Sequence, residues 1–153
     1  MNPTDQAIAR KVKLWVYHAE EDLRLAQHGL KLKSSCPYKL IAYHAQQCAE
    51  KYLKAFLVYH KIDFPYTHNI ARLLELCDEK ADWTEKIKDA EELSPFAITT
   101  RYPGEYEEVT KENAKRAIKI AKSVKRTVRA ALTHEGITLD IDNSGNISNF
   151  LRD

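Results

Sequence analysis

An all-α domain is the fold class this sequence predicts, on three observations. Apolar residues recur at steps of three and four over long stretches. Only four glycines and five prolines are spread through 153 residues, while Ala, Leu, Lys and Glu, which favour helix, are plentiful. The turn formers gather in a few links, "SSCPY", "KIDFPYTHN" and "SPFAITTRYPGEY", that separate the periodic stretches. A chain of this length folds as one domain that buries roughly two-thirds of its unfolded surface. Lys+Arg 24 and Asp+Glu 22 nearly cancel, so a net charge of +2 gives the whole molecule no strong pull on polyanions. Any contact with nucleic acid must come from a local patch.

The first helix follows Ile8, Val12, Trp15, Ala19, Leu23, Ala26 and Leu30, one apolar stripe of about seven turns. Thr4 or Asp5 can cap its start, and Ser34, Ser35 and Pro37 place its end near Lys33. A second helix is expected from Tyr38 to about residue 60. Placing its residues at 100° intervals puts Ile41, Ala45, Cys48, Ala49, Tyr52, Ala55, Phe56 and Tyr59 in one arc about half the circumference wide. Gln46, Gln47, Glu50, Lys51 and Lys54 fill the opposite arc, which reads as solvated or open to a partner. His44 stands on the border. It reads as a boundary histidine with a hydrogen-bond partner, with a nucleotide or partner contact as the alternative. A metal role lacks support, because no third or fourth ligand stands at zinc spacing.

Pro65 breaks that helix, and Thr67 or Asn69 can cap a short third one carrying Ile70, Leu73, Leu74 and Cys77. Another short piece runs from Trp83 to Leu93. Residues 94 to 106 hold two prolines and a glycine and are expected to be a loop, of the length that in compact domains tends to be functional. The last helix runs from about Thr110 to His134, with Ala117, Ala121, Val124, Val128 and Ala131 as its seam and Gly136 as its end. Lys111, Lys115, Arg116, Lys119, Lys122, Lys125, Arg126 and Arg129 make the rest of this cylinder basic, read as a solvated face, a phosphate or RNA contact, or a surface for an acidic partner. Residues 1–135 therefore form an up-and-down four-helix bundle whose third position is split, and residues 136–153 a polar tail. Within the tail, "DIDNSG" has acidic spacing like a calcium loop, but Leu151 stands where the bidentate glutamate belongs, so a polar turn is expected.

Three cysteines at spacings that suit neither zinc nor a disulfide framework point to free thiols in a reducing interior. No apolar run reaches the roughly 18 residues of a membrane span, and "MNPTDQAIARKVKLW" lacks the apolar core of a secretory signal. A soluble cytoplasmic protein with no membrane contact is the expectation.

Four pieces, "WVYHAEEDLRLAQ", "YHAQQCAEKYLKAFL", "THNIARLLELC" and "TTRYPGEY", together resemble the HEPN domain, the nucleotide-binding helical bundle of higher eukaryotes and prokaryotes. The second is the most specific, with its His, paired glutamines, Glu-Lys and aromatic. The resemblance implies a homodimer that binds an ATP-like nucleotide or serves as partner subunit to a minimal nucleotidyltransferase, in a toxin–antitoxin-like pair. Candidate ligand residues are then His44, Gln47, Lys51, His68, Arg101 and Tyr102; no metal or other cofactor is implied. Arg101 can grip phosphate and Tyr102 can stack on a base or pack the loop.

A second branch of the family cleaves RNA without metal, using Arg, four to six residues, then His at the loop entering the last helix. Arg101 occupies that loop, but Tyr106, Glu107 and Glu108 follow at the histidine positions. Arg129 and His134 have the right count yet lie at the far end of the last helix, about 140° apart. They are the alternative catalytic pair, and no catalytic residue is assigned in the preferred reading. A third reading, an interaction subunit without a ligand of its own, stays open.

Overall fold

The computed structural model describes residues 2–98, 104 and 107–139. Four α-helices, α1 (Pro3–Gly29), α2 (Tyr38–Tyr59), α3 (Ile70–Cys77) and α4 (Lys111–His134), are joined by a 3-10 segment, Glu85–Ala97. There is no strand among the described residues. The bundle is the expected one, with α3 and the 3-10 segment sharing its third position. No helix among the described residues is long and apolar enough to cross a membrane. Arg101, Tyr102, Tyr106 and the "DIDNSG" stretch lie outside the described residues.

Element ends follow local chemistry, in places differently from expectation. Asn2, not Thr4 or Asp5, caps α1, its side chain accepting from the Asp5 amide at 2.8 Å. The helix stops at Gly29, four residues early, where α2 comes close: a Cβ on Gly29 would lie 2.8 Å from Ile41 Cγ1. Pro65 does not end α2. Lys61 does, at φ 57°, with the Ile62 amide donating back to the Leu57 carbonyl in a Schellman-type closure. Asn69 caps α3 as expected, and the Ser94 hydroxyl also accepts from the Ile70 amide. Residues 94–97 are helical, contrary to expectation. Pro95 fits because a 3-10 turn uses its fixed φ and loses only one i→i+3 bond. Thr110 and Asn113 close a reciprocal capping box on α4. At its other end Gly136, at φ 102°, returns the Ile137 amide to Leu132.

The larger correction concerns α2. It packs against all four other elements, and 14 of its 22 residues are buried, so it is enclosed on nearly every side. Gln46, Gln47, Glu50 and Lys54, expected to face solvent or a partner, lie inside the single chain; only Lys51 of that arc stays half-exposed. The Lys54 ammonium in this arc meets Trp15 of α1 and Phe64 and Tyr66 of the α2–α3 link, and Glu50 meets His68 of the same link. The core continues past the last helix, with Ile137 and Leu139 both buried.

Candidate functional site

Three polar clusters surround α2, each combining a carboxylate with side chains from another element. In the first, Asp22 of α1 accepts from His44 Nδ1 at 2.8 Å and from Lys51 Nζ at 2.5 Å. An ionised carboxylate only accepts, so it holds the proton on Nδ1 and leaves Nε2 of a neutral ring as an acceptor. His44 is thus a boundary histidine with a partner, and it shares that partner with Lys51.

The second cluster lies inside. Gln47 donates to Gln46 at 2.7 Å and Gln46 to Glu50 at 3.0 Å, while Lys54 Nζ meets Glu50 at 3.0 Å. The Lys54 ammonium also stands 5.7 Å from the centroids of Trp15 and Phe64 and 6.0 Å from that of Tyr66. A buried charge is tolerated only when paired and hydrogen-bonded, and these contacts meet that requirement. No described buried side-chain N or O lacks a partner. Glu50 reaches the surface through one group, His68 Nδ1 at 2.7 Å. His68, 42% exposed at its side chain, borders a groove of about 640 Å³ with Asn69, Ser94, Pro95 and Ile98. Tyr66 beside it is 92% exposed, its ring edge-on to His68 at 5.5 Å.

The third cluster ties α1, α2 and α4. Glu20 accepts the Tyr52 hydroxyl, pairs with Lys125 at 3.0 Å and stands 3.7 Å from Arg129. Arg129 also donates to Tyr52 and to the Leu139 carbonyl, each at 3.3 Å. Burial and the Glu20 charge push the Tyr52 hydroxyl far above its ordinary value. Burial does the same to the Cys48 thiol and lifts that of Cys77 to about 12.

The six expected ligand residues do not converge. His44 and Lys51 meet at Asp22, His68 is joined to Gln47 only through Gln46 and Glu50, and Arg101 and Tyr102 lie outside the described residues. Gln47 is buried, and its amide nitrogen is turned to Gln46. Arg129 is half-buried and turned to Glu20 and Tyr52, whereas His134 lines a separate groove of about 1000 Å³ between α4 and residues 78–86. No group of three or more His, Cys, Asp or Glu able to hold a metal is found among the described residues. Sequence reasoning missed Asp22 and Glu20. Asp22 had a signal: it falls between Ala19 and Ala26 on the apolar stripe, where an acid must find a partner inside.

Residues 12–131 match the family model for the HEPN domain. The chain is 33% identical over 135 residues to "Putative toxin MJ1304" of Methanocaldococcus jannaschii, covering 76% of this chain and 85% of that one. Two crystal structures share the fold. ST0689, described as an archaeal HEPN homologue, has TM-score 0.61 and 27% identity over 78% of this chain and 96% of its own. TT1696 from Thermus thermophilus has TM-score 0.65 and 27% identity over 79% and 98%.

Proposed function

We propose, from the premise that the chain belongs to the HEPN domain family, that it is a nucleotide-binding helical subunit of a toxin–antitoxin-like pair, acting beside a minimal nucleotidyltransferase. The toxin name carried by the 33% identical relative supports the pair. One geometric observation supports the binding role: His68, aimed by a buried carboxylate, at the edge of an open groove. Glu50 engages Nδ1, which leaves Nε2 for a ligand of the groove, where Glu91 is the other ionisable neighbour. A phosphate or a base edge suits that nitrogen, protonated or neutral respectively. The groove is also bordered by Ile98, from which the chain continues to Arg101 and Tyr102. Gln47 drops out of this reading, while His44 and Lys51 remain as a second polar edge. The protein works as a homodimer in the cytoplasm.

Titration of the purified protein with ATP by calorimetry tests the nucleotide half. Binding weakened at least about fivefold by His68→Ala, roughly the loss of one hydrogen bond, supports it. Absence of heat both alone and with an added nucleotidyltransferase subunit discards it.

The toxin name also favours one other reading, cleavage of RNA by Arg129 and His134 across a dimer. Arg129 argues against it, since Glu20, Tyr52 and the Leu139 carbonyl already hold its guanidinium. RNA cut in the presence of chelator by the native protein, and spared by His134→Ala, would restore that reading.

A further inference from the structure

A nucleotide offers His68 two unlike surfaces, a phosphate and a base edge, and the charges around the groove separate them. Among the described residues no lysine or arginine lines it. Its cation is His68 itself, and only when the ring is protonated. Glu91 lies on the lining, exposed, with no hydrogen bond or ion pair to another described residue. Behind His68 the Glu50 charge is matched by Lys54 at 3.0 Å. Glu91 therefore leaves the groove negative with a neutral His68 ring and no better than neutral with a protonated one. A di- or triphosphate finds no surplus positive charge here, and Glu91 repels it.

The groove suits a flat, neutral ring. Pro95 and Ile98 supply apolar wall. Tyr66 beside His68, at 92% more exposed than any other large apolar side chain among the described residues, leaves ring surface open for stacking. Two acceptors accompany these apolar groups: the Glu91 carboxylate and Nε2 of a neutral His68. Neutral donors stand beside them. The Ser94 hydroxyl accepts from the Ile70 amide at 2.9 Å and keeps its own proton to give, and the Asn69 side chain, whose oxygen caps α3, keeps its amide hydrogens. The Ser94 bond also ties the start of α3 to the 3-10 segment, which fixes the two walls relative to each other. Acceptors next to donors match a base edge that carries an amino group beside a ring nitrogen, as adenine and cytosine do. Hypoxanthine and uracil carry a carbonyl instead of the amino group, which sets oxygen against Glu91.

We infer, on the reading that this groove binds a nucleotide, that it recognises the ligand by an amino-bearing base, adenine before hypoxanthine, and turns the phosphates outward. Glu91 is the specificity-determining residue, accepting from the amino group together with His68 Nε2. Tyr66 stacks on the face of the base.

The test is calorimetric titration of the full chain with ATP, adenosine, purine riboside and inosine. Adenosine is expected to bind within about threefold of ATP, since the phosphates add no contact. Purine riboside, which lacks the amino group, binds at least about tenfold more weakly than adenosine, the loss of a hydrogen bond to a charged acceptor. Inosine binds no better than purine riboside. Glu91→Gln, at an exposed position, replaces an acceptor-only group by one that also donates, so inosine gains and the preference for adenosine over inosine falls at least about fivefold. A change in preference between two ligands is not what a merely structural role of Glu91 would give. Tyr66→Ala weakens all four ligands alike, by about fivefold or more, as the loss of stacking does. ATP bound with adenosine more than about tenfold weaker overturns the inference and gives recognition to the phosphates, with the nucleotide-binding reading intact. Equal affinity for adenosine, purine riboside and inosine, or a preference that Glu91→Gln leaves unchanged, also overturns it. No binding of any of the four, alone or with an added nucleotidyltransferase subunit, removes both the inference and the reading beneath it.

Discussion

His68 Nδ1 lies 2.7 Å from Glu50 Oε1, joining the approach to α3 to the middle of an enclosed helix. The link joins an exposed ring to a buried carboxylate that also meets Lys54 and Gln46. A change at Glu50 is therefore felt at the groove.

Glu50→Ala leaves the Lys54 ammonium buried without its carboxylate, a loss of about 3–5 kcal/mol. For a chain of this size that lowers the melting temperature by roughly 6–20 °C. The double variant Glu50→Leu, Lys54→Met removes both charges, and thermal unfolding should find it much closer to the native protein than Glu50→Ala. A double variant as unstable as the single one would mean that the pair is not what Glu50 contributes.

Gly29→Ala forces a Cβ to within 2.8 Å of Ile41 Cγ1 where the end of α1 meets α2. Overpacking of this kind destabilises by about 1–3 kcal/mol, against the gain that alanine would give an open helix position. Urea midpoints measure it, and a stabilised variant would refute the close contact.

The three thiols should react unequally with a disulfide reagent near pH 8. Cys36 is only partly buried, whereas Cys48 and Cys77 are fully buried with thiols shifted upwards. One equivalent should react in the native protein and three after denaturation. Fast labelling of two or more thiols in the native state would contradict the packing.

The same shifts set an alkaline limit on stability. A thiol held protonated in the folded chain adds stability that is present in full below its ordinary value of 9.0. That contribution is lost as pH rises through the folded value, about 12 for Cys77. Unfolding free energy should therefore fall between pH 9 and 12, and Cys77→Ala should remove part of that slope. At the acidic end Glu92, held below its ordinary value by the Arg116 hydrogen bonds, acts in the opposite sense, its contribution present above that value and lost as pH falls through the lowered one. That effect is small because the pair is exposed.

Periodicity made the helices readable. Val12, Ala19, Leu23 and Ala26 carry the stripe of α1 into the core, and Ala117, Ala121, Val124 and Val128 that of α4. The enclosure of α2 was not readable in the same way. Its polar arc, Gln46 to Lys54, has the composition of a solvated face, and the side chains that meet Glu50 and Lys54, those of Trp15, Phe64, Tyr66 and His68, all come from outside the helix. Helical spacing reports contrast around one cylinder and is blind to a neighbour that satisfies buried polar groups. The same limit explains the site: His44, Lys51 and His68 are read from the sequence, but which carboxylate anchors each of them, Asp22 or Glu50, is set by tertiary contacts that helical spacing does not report. Lys61 was likewise unannounced, since closing a helix in the left-handed region ordinarily draws glycine or asparagine.

The central place of α2 bears on how the chain is made. Its flanks are supplied by α1, synthesised before it, and by α4, which begins more than fifty residues after it ends. While a ribosome is still translating the intervening stretch, Phe56, Leu57 and their neighbours have no lid from the carboxyl side, and the nascent polypeptide presents an adhesive surface. Completion has to wait for the final cylinder to emerge, so premature termination before it yields a product that chaperones retain or proteases clear.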